Sequence, residues 1–394
     1  MSHKVYIAGV GMIPFRKPGA SETYDAMGAG AVRQALEDAG LAYNDMQQAY
    51  AGYVYGDSTC GQKALYHVGM TGIPVINVNN NCATGSSALF LARQAVQSGA
   101  VECALAVGFE FMKPGPLMSN WTDRAPALER AHKLVSELVG REDIPSAIRQ
   151  FAGAGKAHMD KYGTKLETFA KIRAKASEHA ARNPLAVFRN VVSTEDVMNA
   201  PMLWEGVITR LMACPPTCGG AAAIVVSEAF AKKRGLRTDV LIAAQSVTTD
   251  LPSTYDTRDM IRVVGFDMSR LAAQQVYEQA GIGPKDIDVI ELHDCFAQNE
   301  LITYEALGLC PEGGAEKLVN DGDNTYGGQW VVNPSGGLLS KGHPLGATGL
   351  AQCYELTHQL RGTAGDRQVP GAKVALAHNV GLGGACVVTA YQSA

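Results

Sequence analysis

Charge is scarce in this sequence. Asp, Glu, Lys and Arg make up 18% of its 394 residues, against about 25% in ordinary soluble domains, and no five like charges run together. The balance of 34 basic and 38 acidic side chains, a formal net charge of −4, offers no footprint for a nucleic-acid backbone. No apolar stretch approaches the roughly 18 residues that would span a membrane, so integral membrane contact is not expected. The opening MSHKVYIAGVGMIPF lacks the apolar core and small-residue cleavage site of a secretion signal. The nine cysteines match no disulfide scaffold and form no CxxC pair. Free thiols in a reducing compartment are the better expectation.

What is present is core and glycine. At 46% hydrophobic content the chain buries a large interior, and at roughly 150 residues per domain its length implies two to three domains or one duplicated one. The 43 glycines, about 11% against a usual 7%, gather at strand ends, where tight turns surround a site.

Apolar runs at Val5–Val10, Ala49–Tyr55, Pro74–Val78 and Glu102–Gly108 read as strands, alternating with helical patterns at Ser21–Ala39 and Ala83–Gln97. This alternation predicts an α/β fold with a largely parallel sheet and helices on both faces. From Lys113 to Thr217 prolines, charged residues and polar helical stretches replace the strand pattern and suggest an inserted, mainly helical lobe. Strands return at Ala221–Val226 and Val240–Val247. The second half repeats the logic of the first: PVINV runs into NNNCATG, and IDVIEL into HDCFAQN, each opening a helix. The expected units are 1–112 with 218–250, the insertion 113–217, and 258–394.

Four loops carry candidate chemistry. Cys82 sits where a strand gives way to a helix, a position at which unpaired backbone N–H groups lower a thiol pKa and make a nucleophile; the competing reading is a buried structural cysteine. His293 and Cys295 in HDCF offer a hydrogen-bond donor and an acid–base thiol, with zinc binding as the rival and Asp294 as a simple N-cap. His343 in GHPLGATG lies between residues that allow close backbone approach to a ligand; the loop lacks P-loop and GxGxxG spacing. Gly381 in HNVGLGGA reads either as a hairpin turn or as a backbone donor to a substrate carbonyl. Cys214 and Cys218 in CPPTC are too isolated to count as a metal pair, and no metal is expected.

Together NNNCATGSSAL, HDCF, NPSGGLLSKGHPLGATGLAQ and HNVGLGGA resemble the thiolase superfamily, in particular the sterol carrier protein 2 type of 3-oxoacyl-CoA thiolase. The match runs over the whole chain and is densest from Asp286 to Tyr391. The resemblance implies the thiolase fold, a duplicated five-layer αβαβα arrangement with the 113–217 insertion covering the active site. It implies an acyltransferase of lipid metabolism and fatty-acid β-oxidation. Coenzyme A would cleave a 3-oxoacyl-CoA to acetyl-CoA or propionyl-CoA and a shortened acyl-CoA, with the Claisen condensation as the reverse.

Carried onto this chain, the resemblance makes Cys82 the nucleophile, His343 its base and Cys295 the thiol that protonates or deprotonates the α-carbon. His293 and His343 would stabilise the enolate oxygen, His293 through a water, and the N–H groups of Cys82 and Gly381 would form a second oxyanion hole. Two departures from the common thiolases agree with each other: HDCF replaces a NEAF-type loop, and Asn379 stands where the C-terminal CxG loop has its cysteine. The second thiol has moved between loops. The alternatives are a short-chain acetoacetyl-CoA thiolase, a condensing subunit with a small OB-type partner, and a non-catalytic acyl-CoA or lipid-binding protein; the thiols argue against the last and against a retro-aldolase. No permanently bound cofactor is implied, coenzyme A being a co-substrate whose contacts stay unassigned. A homodimer or homotetramer is implied. The C-terminal YQSA is not an SKL-type address, so a cytoplasmic enzyme is expected, with the peroxisome as the alternative.

Overall fold

The computed structural model describes residues 3–119 and 121–394. Apolar and small residues build twelve strands: β1 (Val5–Met12), β2 (Gln48–Gly52), β3 (Val75–Val78), β4 (Cys103–Glu110), β5 (Met202–Trp204), β6 (Ile208–Thr209), β7 (Gly219–Ser227), β8 (Val240–Thr248), β9 (Val289–Glu291), β10 (Val331–Val332), β11 (Val374–Gly381) and β12 (Ala385–Ser393). Strands β1, β4 and β7 are buried along their whole length. This explains their continuous apolar runs, because a strand covered on both faces has no reason to alternate.

Ten strands form one sheet in the order β10-β9-β11-β12-β8-β1-β7-β4-β2-β3, and β5 and β6 pair separately. Counting strands within each half of the chain, both halves have the order 3-2-4-5-1. The orientations match too: β2 pairs parallel with β3 and β4, as β9 does with β10 and β11, and β7 and β12 are antiparallel to both neighbours. The halves meet at a single pair, Tyr6 opposite Leu241. The expectation of a largely parallel sheet is corrected by this mixed pattern. Strand–helix alternation signals parallel pairs, but β12 follows β11 through a tight turn, and only antiparallel strands can be joined that way.

Helices Thr84–Gln97 and Thr348–Arg361 pack against each other and against both halves of the sheet. Their apolar faces, with Leu89, Val96, Leu350 and Leu356, share one core with Ile7, Ala223 and Ala375. Each fully buried Leu there contributes about 1.5–3 kcal/mol. Tyr24–Ala39 and Cys60–Tyr66 cover the outer face of the first half, and Phe266–Ala280 and Ala297–Ala306 that of the second. The result is five layers, αβαβα. Tyr24–Ala39 stops at Gly40, whose left-handed φ of 66° suits a residue without Cβ.

Between β4 and β7 lie helices Glu129–Val139, Ser146–Tyr162, Leu166–Ala181 and Thr194–Met198. Phe151, Phe169 and Val197 from this segment belong to the same apolar cluster as Ile290, Leu301 and Val388. The insertion therefore has no separate core; it is seated on the second half.

Candidate active site

Three asparagines shape the loop that carries Cys82. Asn79 Oδ1 accepts from the Asn81 N–H at 3.0 Å, Asn80 Nδ2 donates to Ser87 Oγ at 2.9 Å, and Asn81 Nδ2 donates to the Leu382 carbonyl at 3.2 Å. Asn81 itself has φ 52°, a left-handed conformation that asparagine tolerates. This loop lies against the turn after β11. A Cβ on Gly381 would stand 2.1 Å from the Asn80 carbonyl oxygen, so only glycine permits the approach.

His293 and Cys295 follow directly on β9, and His343 precedes helix Thr348–Arg361. Gly346 presses so closely onto β4 that a Cβ on Gly108 would lie 2.0 Å from the Gly346 carbonyl. The glycines of GHPLG serve packing between loop and strand. Asp294 lies two residues short of the N-cap of Ala297–Ala306, contrary to the simple N-cap reading. Its buried carboxylate accepts from the Leu338 N–H at 2.7 Å and the Leu339 N–H at 3.4 Å, tying the HDCF loop to the segment before His343.

The structure brings Cys82, His293, Cys295 and His343 to one cavity of about 840 Å³. The Cys82 thiol and one ring nitrogen from each histidine lie within 4.8 Å of one another, and the two imidazoles meet edge to face at 5.0 Å and 85°. Gly381 stands at the cavity's edge between the lining residues Val380 and Leu382. Beyond the polar end the walls are mostly apolar, with Met112, Ile148, Phe151, Phe188 and Leu203, and three cations, Lys17, Arg173 and Arg210, also border the space.

The protonation states differ from what the helix start suggested. Burial, reinforced by the nearby Glu110 carboxylate, pushes the Cys82 thiol up to about 12, although the N–H groups of Cys82 and Leu382 pull the other way. Helix Thr84–Gln97 begins two residues later, and the loss of solvent outweighs its N–H groups. Burial, then coupling to the neighbouring Cys214 and Cys82 thiols, likewise pushes the Cys295 thiol well up. Burial, with Lys341 nearby, pushes His343 down to about 3. His293 is held well below its ordinary value by burial and by His343 and His378. The resting site thus holds neutral thiols beside neutral imidazoles.

The hydrogen bonds around His343 favour one tautomer. Thr348 Oγ1 lies 2.7 Å from His343 Nδ1 and 2.9 Å from the Pro344 carbonyl; with its single proton on that carbonyl it accepts from Nδ1–H. His343 Nε2 is then a bare lone pair, buried and without a partner. That is the form a base requires.

Sequence reasoning missed three residues here. Cys214 borders the cavity, its N–H donating to the Cys295 carbonyl at 2.9 Å; its partner is 81 positions away, so no local pattern exposes it. Thr348 carries no signal beyond its distance of five residues from His343. Glu110 does leave a trace, as the one acidic residue in the apolar run CALAVGFE. Cys82, His293 and His343 could also hold a metal ion, but His293 Nδ1 is engaged by Asn379 Nδ2 at 2.9 Å.

The chain matches the family model for the thiolase N-terminal domain over residues 5–197 and the one described as thiolase C-terminal domain-like over 252–391. It is 56% identical over 393 residues to sterol carrier protein 2 of Homo sapiens, covering 99% of this chain and 72% of that protein. The chain belongs to the thiolase family.

An acetyl-CoA acetyltransferase of Methanothermobacter thermautotrophicus is 35% identical to this thiolase over 364 residues, 91% of each chain. Among solved structures, an Ltp2-ChsH2(DUF35) aldolase superposes with a TM-score of 0.84 at 24% identity, over 99% of this chain and 98% of that one; at that identity it speaks for the fold alone. The thiolase has, among its described residues, no helix long and apolar enough to cross a membrane.

Proposed function

We propose that this thiolase cleaves 3-oxoacyl-CoA with coenzyme A, releasing acetyl-CoA or propionyl-CoA, and runs the Claisen condensation in reverse. The observation that carries the reading is the bare, buried Nε2 of His343 within reach of the Cys82 thiol, with a second thiol, Cys295, on the same cavity. Cys82 attacks the keto carbon while His343 Nε2 takes its proton. With a thiol near 12 beside an imidazole near 3, no thiolate waits in the resting site, and the proton moves as the carbon–sulfur bond forms. The oxyanion accepts from the N–H groups of Cys82 and Gly381. When the carbon–carbon bond breaks, the enolate oxygen accepts from His293 and from the proton now on His343, and Cys295 protonates the carbon. Coenzyme A then takes the acyl group from Cys82 and its thiol proton restores the site.

The apolar walls support a medium or long acyl chain over acetoacetyl-CoA, and Lys17, Arg173 and Arg210 supply positive charge toward an anionic carrier. Residues of 113–217 border the cavity and would act as its cover; 1–112 with 218–250 and 258–394 would be the two repeated units. Nine free thiols support a reducing compartment, read here as the cytoplasm. We take the assembly to be a homodimer, paired through the exposed edge strand β3.

Purified protein is expected to thiolyse 3-oxoacyl-CoA of medium and long chain faster than acetoacetyl-CoA. Cys82→Ala should form no acyl adduct by mass spectrometry, whereas Cys295→Ala should still acylate from a simple thioester yet fail to exchange the α-proton of acetyl-CoA. An adduct in Cys82→Ala would move the nucleophile to another residue, and no turnover of any substrate by the unaltered protein would overturn the reading in favour of a binding protein.

A further inference from the structure

His343 and His293 face one cavity, and the chemistry proposed above needs opposite things of them: a lone pair at His343 and a proton donor at His293. Thr348 sets the first. The second depends on which ring nitrogen of His293 carries hydrogen, and the answer lies in a side chain with no role so far. Asn379 is fully buried on β11. Its Nδ2 lies 2.9 Å from His293 Nδ1, and its Oδ1 lies 3.0 Å from Ser86 Oγ in the first turn of helix Thr84–Gln97.

The amide orientation follows from hydrogen-bond accounting. Asn379 Oδ1 accepts from the Ser86 hydroxyl. Turned over, the amide would leave that buried hydroxyl without its acceptor, at a cost of about 1–3 kcal/mol. With Oδ1 toward Ser86, the NH2 group faces His293 Nδ1, which must therefore be the unprotonated nitrogen. The ring is neutral, because burial and the neighbouring His343 and His378 oppose its charge. Its single proton then sits on Nε2.

We propose that Asn379, held by Ser86, is a positioning residue that makes His293 a hydrogen-bond donor at Nε2, and thereby completes the pair of donors for the enolate oxygen. The inference rests on the thiolase chemistry proposed above for its consequence, though not for its structure. It also gives a reason for asparagine at a position where the resemblance sets a cysteine in other thiolases: with the second thiol on the HDCF loop, position 379 is free to orient the histidine of that same loop.

The direct test is a long-range proton–nitrogen spectrum of the full chain labelled with 15N-histidine, with His293 identified by comparison with His293→Gln. The unaltered protein should show His293 as the Nε2–H form. Asn379→Asp, once ionised, presents only acceptors, so His293 should then carry hydrogen on Nδ1. Cys82 acylation from a simple thioester should stay within about twofold, and kcat for α-proton exchange should fall about 10²–10³-fold with little change in KM. Asn379→Leu, of similar size, should lose the tautomer preference and fall between. An Nδ1–H His293 in the unaltered protein overturns the proposal, as does an unchanged tautomer in Asn379→Asp. If the unaltered protein shows the Nε2–H form but no turnover, the proposed reaction fails while the assignment of Asn379 stands.

Discussion

At the scale of single residues, what stands out is how far burial sets charge. Glu110 closes β4 with a carboxylate that accepts from the N–H groups of Val54, Tyr55 and Gly346 at 2.9–3.0 Å. Burial outweighs those bonds and raises it to about 7 from an ordinary 4.5. The native state therefore holds a proton that the unfolded chain has released, and the stability this contributes, complete below about pH 4.5, is lost as pH rises through 7. The loss is on the order of 3 kcal/mol. Urea midpoints followed from pH 5 to 8 should fall in the unaltered protein and stay flatter in Glu110→Gln; equal slopes would refute this. The sequence placed Cys82, His293 and Cys295 on loops at strand ends and His343 on a turn before a helix, but not their protonation, which depends on neighbours such as Glu110 that are remote in the chain.

At the scale of elements, the site is a meeting of loops held by buried polar links. Lys341 Nζ pairs with Glu291 Oε2 at 3.1 Å, with side chains 1% and 0% exposed, and Glu291 also accepts from the N–H and hydroxyl of Ser335. Glu291 ends β9, two residues before His293, and Lys341 stands two residues before His343, so the pair sets the spacing between the histidines. Lys341→Met leaves the Glu291 charge buried and unpaired, which costs about 3–5 kcal/mol. Chemical denaturation should register that loss, and Glu291→Leu in the same chain should recover part of it; a single variant as stable as the parent would remove the link from the account. Periodicity locates β9 to within two residues: the apolar run IDVIEL, 287–292, contains the strand Val289–Glu291. It gave no sign of the ion pair, whose partners are fifty residues apart.

At the scale of the whole molecule, duplication explains the architecture and gives the sheet two edges, β10, which is buried, and β3, which is exposed. Among the described residues, strand β3 ends the sheet with nothing paired on its outer side. Ile76 on it is 37% exposed, and Tyr66 and Met70, on the helix and loop leading to it, are 55% and 77% exposed. A free edge flanked by large apolar side chains is a template for another strand, and a second copy of this chain offers the same edge for a two-fold pairing. Sedimentation should give a dimer, and Ile76→Lys with Met70→Glu should shift it to monomer; a dimer unaffected by both changes would place the interface elsewhere.

The sequence by itself determined where the longer strands and helices lie, that the halves repeat, and which loops bear thiols and imidazoles, because periodicity, turn residues and short motifs are local. Tertiary structure alone decided the mixed sheet, the seating of 113–217 on the second half, and the cavity in which Cys214 joins Cys82 and Cys295. It also decided the electrostatics. A helix start predicted a lowered thiol pKa, and burial beside Glu110 raised it instead, since desolvation depends on everything packed around a group and no local stretch of chain records that.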